Sequence, residues 1–128
     1  MKNLFILLLV SLVQFVVDIS MFPCSNYGLG IPLLYFHNVV NIYIYIGGIL
    51  FNPLYHLLLL LFTIFHWITN DNQCFLTEYT NSICYPEEKE YKQFNDFIKM
   101  LGYQDKYPQI SYYVLGLLIG YDLLKMKN

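Results

Sequence analysis

Apolar positions run almost without interruption through four stretches of this chain, and polar or turn-forming residues cluster between them. No charged residue lies between Lys2 and Asp18, and none between Asp18 and Asp71. The second gap has room for two bilayer-crossing helices, each of which needs about 20 mainly apolar residues. The pattern predicts an all-α integral membrane protein with four transmembrane helices, at about 3–20, 33–51, 53–69 and 109–124. One domain covers residues 1–128, with an extramembrane segment over 70–108.

The breaks between stretches carry their own signals. Met21 to Pro32 holds Pro23, Asn26, Gly28, Gly30 and Pro32, residues that interrupt helices or accept positive φ, and reads as a loop. Asn52-Pro53 ends the second span and starts the third, since Pro is tolerated in a first helical turn. So short a connection demands a tight antiparallel hairpin. Asn70-Asp71-Asn72 is a turn signal. Beyond it, Tyr91, Phe94, Ile98 and Leu101 recur at helical spacing behind Pro86 and three glutamates, predicting an amphipathic helix over 86–101.

The first span competes with a cleaved signal peptide, but Asp18 and Ile19 stand where a signal peptidase needs small residues. An uncleaved span is therefore the expectation. Four crossings put both termini on one side. Lys2, Lys125 and Lys127 suggest that this side is cytoplasmic, while Lys89, Lys92, Lys99 and Lys106 in the long loop pull the other way.

Composition narrows the function classes. The chain is 57% hydrophobic and 12% charged, far from the charge content of about a quarter found in soluble domains. A net charge of −2 offers no basic patch for nucleic acid. The three cysteines have no zinc-ligand spacing. No catalytic Ser-His-Asp set, HExxH motif or phosphate-binding glycine loop is visible, so an enzyme is not expected.

The candidate chemistry lies in the spans and their exits. His37, Asn38 and Asn41 share one side of span two and should face the bundle, because polar groups are costly in hydrocarbon. His56 and Thr63 share a face of span three, with His66 displaced by roughly 80°. Gly47 and Gly48, and the Gly116/Gly120 GxxxG motif, are candidate helix-packing positions. Asp122, one turn from Lys125, is expected to form a surface ion pair. Cys24 follows span one, and Cys74 and Cys84 follow span three, so all three share one membrane face. The leading reading has the histidines bonding across helices and the cysteines serving as structural residues. A disulfide (Cys74–Cys84, or Cys24 with either), metal or haem ligation by His37 and His66, and a thiol relay are the alternatives.

Around the hairpin, His37, Gly47, Gly48, His56, His66, Trp67, Asn72, Cys74, Leu76, Thr77 and Glu78 form a pattern. It resembles a family of uncharacterised small multi-span membrane proteins of bacteria and of large DNA viruses of algae and protists. The resemblance covers the central third of the chain; Phe75 stands where many bacterial members have Pro. It implies a four-helix membrane unit and carries no activity; taken with a composition that lacks Ala and Arg and favours residues of AT-rich codons, it points to a viral source.

The resulting expectation is a structural or accessory membrane component with no cofactor, contacting the lipid bilayer and either further copies of itself or other membrane proteins. The alternative is a redox, haem or metal-binding membrane protein using the His and Cys residues near one face.

Overall fold

The computed structural model describes residues 1–86 and 107–128, the side chains of 107 and 108 excepted. Its described residues form five helices and no strand: α1 (Lys2–Met21), α2 (Gly30–Leu50), α3 (Pro53–Thr69), α4 (Phe75–Cys84) and α5 (Tyr107–Lys127). Two of them, α1 and α2, are long and apolar enough to cross a membrane, and α3 is a shorter apolar helix. The helix expected over 86–101 lies, after Pro86, outside the described residues.

Local chemistry sets the boundaries. Helix α1 ends where Phe22 N–H donates to Asp18 O and Pro23 follows. The loop expected to reach Pro32 is shorter than that. Asn26 Oδ1 accepts the Leu29 N–H at 3.1 Å, and α2 starts at Gly30. Pro32 then sits in the first turn of α2, where its missing N–H costs no intrahelical bond. Asn52 caps α3 by accepting the Leu54 N–H at 2.9 Å, with Pro53 in the first turn. Only Phe51 and Asn52 separate α2 from α3.

The turn after α3 is tight. Asp71 and Asn72 adopt positive φ, a conformation that short polar side chains tolerate. The start of the segment expected outside the membrane then forms a helix, α4. Its fully buried residues are Thr80, Asn81 and Cys84, and Leu76, Tyr79 and Ile83 recur at helical spacing beside them.

Helix α2 is central and packs against each of the other four; α1 packs on α2, and α5 on α3. The polarity of this bundle is inverted relative to a water-soluble one. The buried residues of α1 are Leu7, Ser11, Gln14 and Asp18, while Phe5, Leu9, Val13 and Val16 face outward. Helix α3 buries His56 and Thr63 and exposes Leu58, Phe62 and Phe65. Helix α5 buries Ser111 and Asp122 and exposes Leu117 and Leu124.

Two small apolar clusters complete the interior. Leu60, Trp67 and Leu115 join α3 to α5, with the Trp67 and Tyr112 rings edge to face at 5.9 Å. Leu34 packs with Cys24 and Cys84 at the opposite end of the bundle from the chain termini.

Candidate functional site

Two polar centres lie inside the bundle. The first is at the end where α2 stops, α3 starts and α5 approaches its C-terminus. His56 is in the first turn of α3, and Asp122 reaches it from α5. Both side chains are 0% exposed, and Nδ1 lies 2.6 Å from Asp122 Oδ2. On the far side of the ring, Nε2 is 2.9 Å from Ile44 O of α2. A carbonyl only accepts, so Nε2 carries a proton. Nδ1 faces a carboxylate oxygen, so a second proton must lie between those two atoms. Imidazolium with carboxylate and imidazole with carboxylic acid share this proton count, and either way the pair is neutral overall.

The backbone makes room for this pair. A Cβ on Gly48 would stand 2.2 Å from Asp122 Oδ1, and one on Gly47 would stand 2.7 Å from the His56 ring. The Tyr43 ring meets His56 edge-on at 5.6 Å. Lys125 Nζ donates to Gly48 O at 2.6 Å, satisfying a carbonyl in the last turn of α2. This corrects the surface ion pair expected of Asp122 and Lys125. Asp122 is turned inward to a histidine, and the lysine neutralises a helix end instead.

The glycines expected to pack helices divide into two kinds. Gly47 and Gly48 are buried against His56 and Asp122, whereas a Cβ on Gly116 or Gly120 would meet nothing within 4 Å among the described residues.

The second centre lies between α1 and α2. Asp18 is 2% exposed and accepts from Asn38 Nδ2 at 3.2 Å. Asn38, Asn41, Gln14 and Ser11 are buried along the same interface.

The remaining candidate residues gather around α4. His37 Nε2 is 2.8 Å from Thr77 Oγ1. His66 Nε2 accepts the Phe75 N–H at 2.9 Å and so caps the first turn of α4. The two rings thus engage separate residues of one helix. Among the described residues no group of three or more His, Cys, Asp or Glu is placed to hold a metal ion.

Cys24 and Cys84 form a disulfide with Cα atoms 4.5 Å apart, and Cys74 is a free thiol. Gly30 makes the approach feasible, since a Cβ there would stand 2.4 Å from Cys24 Sγ. Ser25 reinforces the join, its N–H and Oγ both donating to Cys84 O at 3.1 and 2.7 Å.

Two features escaped the sequence reading. Asp18 drew notice only as a mark against signal cleavage, yet Ser11, Gln14 and Asp18 recur at three and four residues. Helical periodicity applied to polar rather than apolar positions finds that stripe. The pairing of His56 with Asp122 has no local signal, because 66 residues separate them.

Against protein-family models, curated proteins and solved structures, the chain matches nothing.

Proposed function

We propose that this chain is a small multi-pass membrane protein whose α1, α2, α3 and α5 each cross the bilayer, and that it serves as a structural or accessory component rather than an enzyme. The observation that carries the reading is the inverted polarity. A bundle that buries Gln14, Asp18, Asn38, His56 and Asp122 while exposing Phe5, Val13, Phe62, Phe65 and Leu117 matches hydrocarbon outside, not water. Length is compatible too. Helix α5 has 21 residues and α3 has 17, about 31 and 26 Å at 1.5 Å per residue, against a hydrocarbon core of about 30 Å.

The disulfide supports an orientation. Disulfides persist in oxidising compartments, so the face carrying Cys24, Cys84 and α4 is extracytoplasmic on this reading, and both termini are cytoplasmic. Lys2, Lys125 and Lys127 favour the same sidedness. The lipid bilayer is then the principal partner. Contacts with a further copy or another membrane protein run through the outward face of α5, where Gly116 and Gly120 leave open space.

Alkaline carbonate extraction of membranes, joined to maleimide labelling from each side of the bilayer, tests this. In a Cys74→Ser background, a cysteine replacing Tyr27 should label from the extracytoplasmic side and one replacing Lys127 from the cytoplasm. Release of the chain by carbonate, or labelling of both positions from one side, would overturn the reading.

A further inference from the structure

The buried carboxylate of Asp18 is not balanced by a basic side chain among the described residues. It sits in the last turn of α1, where the helix dipole is negative and no basic residue offsets it. Its interacting side chain is an uncharged amide. Asn38 Nδ2 donates to Leu34 O at 2.9 Å as well as to Asp18, which fixes the amide orientation, because a flip would set oxygen against two oxygens. Asn38 Oδ1 is therefore a fixed acceptor, and it is buried without a hydrogen-bond partner among the described residues. One turn before Asp18 on the same face, Gln14 is 6% exposed and neither of its amide atoms has a partner among the described residues. Two amide oxygens, Asn38 Oδ1 and Gln14 Oε1, thus lack a donor or a cation, and Asp18 beside them lacks a balancing charge.

We propose that the α1–α2 interface holds one monovalent cation, for which sodium is the probe, bound by the Asp18 carboxylate, Asn38 Oδ1 and Gln14 Oε1. A proton on Asp18 would satisfy a single acceptor and leave the other carbonyl oxygen orphaned. A water molecule would supply hydrogen bonds but no charge. A hard cation engages all three oxygens and neutralises the carboxylate, with water completing its shell. The site is independent of how many helices cross the bilayer, so it stands or falls separately from the proposed topology.

Thermal unfolding of the full, oxidised chain in detergent, followed by circular dichroism, tests the site. Sodium chloride replaces choline chloride at constant ionic strength and neutral pH. The wild type should show a saturable rise in Tm with sodium, as expected for a ligand that binds only the folded state. Asp18→Asn should abolish that response while raising Tm in choline, since the buried charge is gone. Gln14→Leu should raise the half-saturating sodium concentration by about tenfold, the scale of a lost supporting ligand. A wild-type Tm indifferent to sodium would reduce the site to water, and one that responds to pH alone would assign the charge to a proton. Either result overturns the proposal, as does an undiminished sodium response in Asp18→Asn. Should a variant fail to fold, equilibrium binding of radioactive sodium to the wild type decides: saturation near one ion per chain supports the site, and no saturable uptake removes it.

Discussion

His56 Nδ1 and Asp122 Oδ2 are 2.6 Å apart across α3 and α5, with no solvent access to either side chain. Because Nε2 must donate to Ile44 O, the shared proton belongs to the Nδ1–Oδ2 contact. Asparagine at position 122 can donate its own N–H to a neutral Nδ1, whereas alanine cannot. Asp122→Asn should therefore cost less than about 1 kcal/mol. Asp122→Ala should cost about 3 kcal/mol, by stranding a buried polar ring. Chemical unfolding in mixed micelles measures both. Equal losses in the two variants would show that the proton is not where the hydrogen bonds put it.

The glycines offer a contrast within one chain. Gly48→Ala forces a methyl against Asp122 and His56, both fixed by their mutual bond, and should destabilise by about 2 kcal/mol. Gly116→Ala meets nothing within 4 Å among the described residues and should leave stability within about 0.5 kcal/mol of wild type in monomeric protein. The same unfolding assay compares them.

Maleimide labelling of denatured, unreduced protein should modify one thiol per chain, Cys74, and reduction should expose all three cysteines. Cys24→Ser with Cys84→Ser removes a cross-link spanning 60 residues and should lower stability by about 4 kcal/mol on loop-entropy grounds. Mass spectrometry reads the labelling and unfolding midpoints read the stability.

His66→Leu deprives the Phe75 N–H of its acceptor. The local cost should be about 1 kcal/mol. It should appear as faster amide exchange over residues 75–84, with the α3–α5 packing around Trp67 unaffected; hydrogen-exchange mass spectrometry resolves the two.

The parts of this fold legible in the sequence are those dictated by neighbours along the chain. The uncharged runs mark α1 and α2, and Asn52-Pro53 marks the hairpin because cap and proline act within three residues. Helix α4 was overlooked although Leu76, Tyr79 and Ile83 recur at helical spacing, because that stripe covers only about two turns and the residues between are mostly polar. That His56 meets Asp122, and that Cys24 rather than Cys74 meets Cys84, depends on which helices become neighbours. Both were named as separate candidates, but only tertiary packing chooses between partners of the same chemistry.

The disulfide has a temporal meaning under the proposed topology. Cys24 emerges before α2 is made, and Cys84 arrives only after α2 and α3 have crossed and returned the chain to the same face. A chain in which only one of α2 and α3 crosses keeps its two thiols on opposite sides of the membrane. The bond is thus a covalent record that Cys24 and Cys84 reached one oxidising face, and the oxidised fraction of newly made protein leaves out the molecules with a single hairpin arm across.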